Sequence, residues 1–522
     1  MLLAVSGNIL AMDAGVPSEE IAAAAPIATR SGVAIAPGED VSMYPEIRIR
    51  GGWHPLIYQS GPRQGEVAFS TDDVTSIDTF LPVLWDLFRA GIVFNWTKLG
   101  DIGVKFIRDI FHDIRLDGNS QPINPDIGCG QYSEFEEHPY EANVWIFSVD
   151  WRLDPWDNAQ LLQDCIIDLQ AKTGVPKVNI SSISGGGQLL LTYLERFKTD
   201  KLASIVFNMS MHDGSSLFGG LATRNVILDA LSLSRLFPQK KEDGFSFDWI
   251  ALLLRVAYET GVLDLAGKWF KWASGPVMGR VYDEAVVPYI FTMPQMWNYV
   301  PTEQYERAKD LLLGDDPQYD ALKVKIDRYR YQVLAKRDKL LLDAASKIKV
   351  AVRAGYGVPM PGLTTGTFVN SDGFVDVANA SFGAACAPLD RPFPASYKPD
   401  NPFISPDRMV DASTCLLPEL TWFSKYQKHR TQTSFSGWYK WFLRTEGDYT
   451  VFADERYPQY QFFRTENTFF NEELGETIYN HNFTNPQPPS FWERYLLTPL
   501  LTVVLWGMKA WRFILLLPLF WV

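Results

Sequence analysis

The sequence predicts an α/β protein in which a mostly parallel sheet is flanked by helices and carries a large helical insertion. Two patterns predict it. Short apolar runs of strand length alternate with helical stretches from about Trp53 to Gly214. The strand signal then stops from about Leu217 to Ala345 and resumes at Lys349. Buried strands of parallel sheets read as continuous apolar runs, and these do.

Pro55–Tyr58 reads as an early strand ending at Ser60-Gly61, and Asn143–Val149 as a strand that runs into Asp150-Trp151-Arg152-Leu153. Asn158 to Lys172 is helical, with Leu161, Leu162, Cys165, Ile166 and Leu169 on one face. Val178–Ser182 is the next strand, then come Ser184-Gly185-Gly186-Gly187, an apolar helix, and the strand Leu202–Asn208. Lys349–Ala354 ends at Gly355-Tyr356-Gly357, and Leu420–Ser424 ends just before His429. An all-helical insertion between two strands is a usual place for a lid over an apolar site. The expected organisation is a leader or flexible segment over 1–45 and a core over 46–216 and 346–437, interrupted by a helical lid or cap over 217–345. An aromatic-rich extension over 438–494, with no assignable chemistry, and a hydrophobic tail over 495–522 complete it.

The stretch Val178 to Leu191 is the most informative. A strand, a turn of small residues with Ser184 at its apex, and an apolar helix make the pattern of a nucleophile elbow, where a strained turn lifts a serine clear of the sheet. The usual Gly-x-Ser-x-Gly becomes Ser182-Ile-Ser184-Gly-Gly186, with serine in place of the first glycine. A phosphate-cradling turn is the alternative. The spacing fits neither G-x-G-x-x-G nor a P-loop.

A serine hydroxyl needs a base, and the base needs an orienting acid. Enzymes with this elbow carry them in the order serine, acid, histidine. His212 comes too early, before any acid, and His481 lies far past the last clear strand. His429 follows the last strong strand and is the expected base. The acid should follow the strand that ends near Gly357, where Asp372 and Asp376 both lie. Asp372-Gly373 is a tight-turn dipeptide that would aim a carboxylate back at the elbow, so Asp372 is preferred. For the oxyanion hole, the expected donors are the N–H of Gly185 and one from the Ser60-Gly61 turn. There Pro62 has no N–H, which leaves Gly61 or Arg63.

Several blocks together resemble a known family: Asp150-Trp151-Arg152-Leu153, the elbow, Met211-His-Asp-Gly214-Ser215, Ser371-Asp372-Gly373-Phe374-Val375-Asp376, and Thr421-Trp-Phe ahead of His429. In this order they look like a bacterial α/β-hydrolase related to lipases and to the lecithin:cholesterol acyltransferase group. The resemblance covers roughly residues 50–435. It implies the α/β-hydrolase fold, a Ser184–Asp372–His429 triad and activity on lipid-like acyl esters, with Asp150 and Arg152 bracing the sheet edge. An acyltransferase, in which an alcohol replaces water, would use the same residues. A catalytically silent protein of this fold that binds lipid or a partner is the rival from another class.

Composition narrows the partners. A net charge of −13 and an acidic isoelectric point argue against nucleic acid, since no basic groove offers itself to phosphates. The six histidines form no H-x-x-x-H pair, and the four cysteines have no metal-type spacing, so neither a metal nor a cofactor is expected. Cys386 and Cys415 flank one loop region, where an oxidising compartment would allow a bridge. The start, Met1 to Ala14, is apolar without a basic n-region, and an alanine-rich stretch follows.

Segment 495–522 places Trp506, Trp511 and Trp521 among leucines, with Lys509 and Arg512 as its cations. Neither apolar half reaches the ~20 residues a spanning helix needs. A shallow or tilted membrane attachment is expected, and with it an extracytoplasmic or membrane-associated location. The alternative is a greasy helix packed on its own domain. Deleting 495–522 should move the protein from the membrane to the soluble fraction with soluble-ester activity intact, as fractionation and assay would read. An insoluble or unfolded deletion product would mark the segment as core.

Overall fold

Eight strands build the central sheet: β1 (Glu46–Ile49), β2 (Glu134–His138), β3 (Glu141–Phe147), β4 (Val178–Ile183), β5 (Leu202–Asn208), β6 (Lys349–Tyr356), β7 (Thr421–Lys425) and β8 (Tyr460–Phe462). Their spatial order is β8-β7-β6-β5-β4-β1-β3-β2. All run parallel except β2, which pairs antiparallel with β3 at the edge. This computed structural model describes residues 27–70, 95–129, 134–138, 141–226, 277–360, 369–389, 391–398, 400–429, 436–462, 468–471 and 476–479, with the single positions 86, 261, 264 and 268.

β4, β5 and β6 are buried along their whole length, as central strands covered on both faces must be. Around the sheet lie α1 (Trp96–Phe111), α2 (Pro155–Thr173), α3 (Gly186–Phe197), α4 (Ser216–Ala222), α5 (Thr302–Leu312), α6 (Asp320–Arg328), α7 (Arg337–Ala345) and α8 (Ser436–Arg444). Local chemistry sets the ends of α2. The Asp154 carboxylate accepts from Trp156 N at 2.8 Å, Pro155 opens the helix, and Gly174 closes it at φ 72. One hydrophobic core gathers Leu162 and Ile166 of α2, Leu190 and Leu194 of α3, Leu341 of α7 and Phe442 of α8 against the strands. A second joins Trp297, Tyr305 and Leu322 to Trp151, Phe218 and Leu56.

The chain passes from β1 outward to β3, then crosses back to β4 on the other side of β1. This reversal opens a crevice at the carboxyl ends of β1 and β4, where doubly wound sheets place their ligands. The Asp150-Trp151-Arg152-Leu153 block braces the adjoining edge. Arg152 is fully buried, pairs with Asp150 and donates to the carbonyls of Ile114 and Ile127 at 2.8 Å each.

Between Asn208 and Lys349 every element among the described residues is a helix. The part over 277–345 is fastened to the core. Asp213, just after β5, pairs with Arg330 at 3.2 Å and Arg337 at 3.1 Å, and accepts from Thr302 Oγ1 at 2.6 Å. Most of 227–276, expected as lid, lies outside the described residues, as does the tail over 495–522. No described helix is long and apolar enough to cross a membrane.

The boundaries differ from the expected ones in three places. Leu56–Tyr58 is not a strand of the central sheet. It is the middle strand of a small antiparallel sheet with Val67–Phe69 and Ile127–Gly128. The true first strand, β1, carries Glu46 and Arg48, and those charges hide it from an apolar-run reading. Glu46 is buried because Arg48 pairs with it at 2.9 Å and Ser181 Oγ donates to it at 2.7 Å. Residues 27–45 are packed rather than a free leader, since Ile35 and Val41 join the core and Ala36 N donates to Ala345 O. The sheet also extends past 437, because Tyr460–Phe462 pairs with β7. All four cysteines are unbridged, Cys386 and Cys415 included.

His212 is fully buried and stacks on Phe382 with ring centroids 3.7 Å apart. Neither ring nitrogen has a partner among the described residues, and burial, helped by Arg337, holds its pKa well below the ordinary range. The unfolded chain therefore takes up a proton near pH 6.5 that the folded chain refuses. This contribution is fully present above that pH and is lost as pH falls below it, by about 1.4 kcal/mol per unit. Denaturation midpoints between pH 7 and 5 should fall less steeply for His212→Phe than for the parent.

Candidate active site

Ser184 is the first residue after β4 and has φ 54, a left-handed conformation that costs a residue with a Cβ. From Val178 to Leu194 it alone is half-buried, and every other residue is buried. The turn is possible because its neighbours are small. A methyl group at Gly186 would lie 3.0 Å from the Arg50 and Ile49 carbonyls, and one at Gly187 would collide with the Ser210 hydroxyl. Serine at 182 is tolerated in place of glycine, since its hydroxyl donates to Val206 O at 3.2 Å. Gly185 caps α3, so the helix begins directly behind the serine.

Asp372 and His429 arrive from separate loops. After β6 the chain makes a short ribbon of Val358–Pro359 with Asn370–Ser371, which delivers Asp372. His429 follows β7, the strand beside β6. Their side chains meet at 2.7 Å, His429 Nδ1 to Asp372 Oδ2, and their backbones meet as well, His429 N donating to Asp372 O at 2.9 Å. The Asp372 side chain is fully buried, and that of His429 is 9% exposed. The other carboxylate oxygen accepts from the N–H groups of Phe374 at 2.9 Å and Val375 at 2.8 Å. Gly355 makes the convergence possible, since a methyl group there would lie 2.8 Å from Asp372 Cβ and 2.5 Å from Gln427 O.

Asp376, the alternative acid, is engaged elsewhere. Its carboxylate accepts from the Ser216 N–H at 2.7 Å and from the Ser216 hydroxyl, at the start of α4. His212 is buried against Phe382, as described, and His481 lies outside the described residues.

The structure does not bring Gly61 to Ser184. Gly61 sits at φ 79 in the hairpin turn of the small sheet, against Asp126, because the strand before it is not the neighbour of β4. That neighbour is β1, and the loop after it reads Arg50-Gly51-Gly52-Trp53-His54. A methyl group at Gly51 would lie 2.8 Å from Ser184 Cβ and 3.4 Å from its Oγ. His54 Nδ1 bonds Gly51 O at 2.9 Å and Trp151 Nε1 donates to His54 O at 3.0 Å, which fixes the loop. The N–H groups of Gly51, Gly52 and Gly185 donate to no other described residue. The loop beside Ser184 is therefore this one and not the Ser60-Gly61-Pro62 turn. A glycine pair directly after an alternating strand was the signal that could have located this loop.

Aromatic rings continue from the site. Phe374 stacks on His429 at 5.2 Å, Phe218 meets Phe374 at 5.7 Å and Tyr299 at 5.0 Å, and Trp53 stacks on Trp151 at 5.5 Å. Among the described residues no group of His, Cys, Asp and Glu is arranged to hold a metal ion.

No family model and no curated protein matches the sequence. Among solved structures, a chain of the Tle4–Tli4 complex is 10% identical with a TM-score of 0.27, covering 60% of this chain and 74% of that one. Proline iminopeptidase of Mycobacterium smegmatis is 14% identical with a TM-score of 0.17, covering 41% of this chain and 64% of that one.

Asp376→Ala should lower stability by about 1–2 kcal/mol, as loss of a helix-start acceptor does, while the Asp372–His429 bond stays. Urea denaturation of the variant measures the first, and the low-field imidazole N–H proton resonance reports the second.

Proposed function

We propose that this chain is a serine hydrolase of the α/β-hydrolase type, acting on carboxylic esters with apolar acyl groups. One observation carries the proposal. The Asp372–His429 pair forms at the same edge of the sheet where the neighbouring strands present Ser184 on a strained turn. In this reading Ser184 Oγ attacks the ester carbonyl while His429 Nε2 takes its proton. Asp372 holds the Nδ1–H and stabilises the imidazolium that forms. The carbonyl oxygen, now negative, accepts from the N–H of Gly185 and of the Gly51-Gly52 loop, groups with no other partner among the described residues. His429 returns the proton to the departing alkoxide. Water then enters, gives a proton to His429 and attacks the acyl-enzyme carbonyl; as that centre collapses His429 passes the proton to Ser184 Oγ, which releases the acid and regenerates the serine.

The aromatic run over Phe374, Phe218 and Trp53 supports an apolar substrate group, since a charged or sugar-like one would find few polar partners there. Attachment through 495–522 would hold such an enzyme beside lipid esters.

The test uses the full chain, a fluorophosphonate probe and p-nitrophenyl esters of short and long acyl chain. Ser184 should be labelled and esters hydrolysed, with long acyl chains preferred. Ser184→Ala should abolish both, and Asp372→Asn should lower kcat by about 10⁴-fold. An unlabelled, inactive parent would leave a binding protein of this fold instead.

A further inference from the structure

From the crevice beside Ser184 we infer that the Tyr299 hydroxyl is a further oxyanion donor, supplied by the helical insertion. The inference rests on the hydrolase reading above. Tyr299 follows the short helix Pro294–Asn298 and is buried. A methyl group at Gly185 would lie 2.5 Å from its hydroxyl oxygen, and one at Gly52 would collide with it. The hydroxyl thus occupies the gap between the residue after the nucleophile and the loop after β1, whose Gly51 touches Ser184. These are the two segments whose free N–H groups flank the reacting carbonyl. Glycine at both positions leaves room for this one hydroxyl.

The Gln295 amide donates toward the hydroxyl oxygen, but the O–H itself has no acceptor among the described residues. A buried hydroxyl left so is destabilising, and its retention calls for an explanation outside folding. Burial also pushes the phenol well above its ordinary pKa, so it keeps its proton and can donate. A developing oxyanion is the partner it lacks. No bond to carbon forms or breaks in this step; the neutral O–H donates a hydrogen bond to O⁻ and keeps its proton when the tetrahedral centre collapses.

The alternative is a plug that must swing away before substrate enters. The backbone argues against that. Gln188 Nε2 donates to Asn298 O at 2.8 Å, Ser215 N to Tyr299 O at 3.0 Å, and Arg330 Nη2 to Val300 O at 2.5 Å. Successive carbonyls on both sides of the tyrosine are tied to α3, to the loop after β5 and to the insertion. A donor fixed in this way costs no reorganisation when charge develops, which is what makes such donors effective.

The experiment compares the full-length parent with Tyr299→Phe, which removes only the oxygen. Expected are a fall in kcat of about 100-fold on a p-nitrophenyl ester and a KM near that of the parent. An alkylboronic acid, whose tetrahedral adduct mimics the oxyanion, should bind more weakly, and the melting temperature should hold or rise because an O–H without an acceptor is gone. A kcat equal to or above the parent's would make Tyr299 a filler or a plug and overturn the inference. So would a variant that melts lower or fails to fold, since the hydroxyl would then be structural. A parent that is neither labelled by fluorophosphonate at Ser184 nor active would remove the hydrolase reading, and this inference with it.

Discussion

The site depends on how four adjacent strands end. β4, β5, β6 and β7 are each followed at once by a left-handed residue: Ser184 at φ 54, Met209 at φ 45, Gly357 at φ 82 and Tyr426 at φ 63. Three of them carry a Cβ and pay roughly 1–2 kcal/mol each for that conformation. The sheet holds them there. Ser184 N donates to Asn208 O at 3.3 Å, Met209 N to Arg353 O at 2.7 Å and Tyr426 N to Tyr356 O at 2.7 Å, each one step beyond the neighbouring strand's pairing. The ladder thus continues into the turn and over-determines a backbone that a free peptide would not adopt. Each chain leaves the sheet sharply, and the loops turn back over its edge rather than running on along the strand axis.

That geometry explains where the glycines stand. Once loops fold back over one edge they crowd one another, and side chains must be absent at the points of contact. Gly51 meets Ser184, Gly355 meets Asp372 and the Gln427 carbonyl, and Gly214 packs against the Tyr299 backbone. The Asp213 carboxylate then ties the insertion to the same edge through Arg330, Arg337 and Thr302. Asp376 holds the start of α4 through Ser216. The acidic groups around the site thus divide into those that join helices to the sheet and the one, Asp372, that faces an imidazole.

Much of this is legible in the sequence where chemistry and periodicity coincide. The runs at Val178, Leu202, Lys349 and Leu420 are strands because central positions of a parallel sheet admit little but apolar or small side chains. Asp372-Gly373 betrays its turn, and Gly373 at φ 92 has the left-handed conformation such a dipeptide supplies. What stayed hidden was long-range. Nothing local in Glu46-Ile-Arg-Ile49 says that its charges will be satisfied by Ser181 and by each other in the middle of a sheet, so an apolar-run reading places the strand beside Ser184 at Leu56 instead of Glu46. Tyr299 carries no local mark either. It is one tyrosine among 22, and only the fold places its oxygen between two glycines.

The distribution of costs across the molecule separates architecture from chemistry. Two buried cations that serve the fold are fully engaged: Arg152 bonds Asp150 and two carbonyls, and Lys349 donates to the carbonyls of Glu39, Leu443 and Thr445. At the crevice between β1 and β4 the reverse holds. Ser184 and Trp53 sit at positive φ, the N–H groups of Gly51, Gly52 and Gly185 are unengaged by described residues, and the Tyr299 O–H has no acceptor among them. Strain and unmet donors thus coincide at this crevice. The three glycine N–H groups and the Tyr299 O–H are donors. Under the proposed reaction, the negative oxygen of the tetrahedral intermediate beside Ser184 is the acceptor that would meet them together.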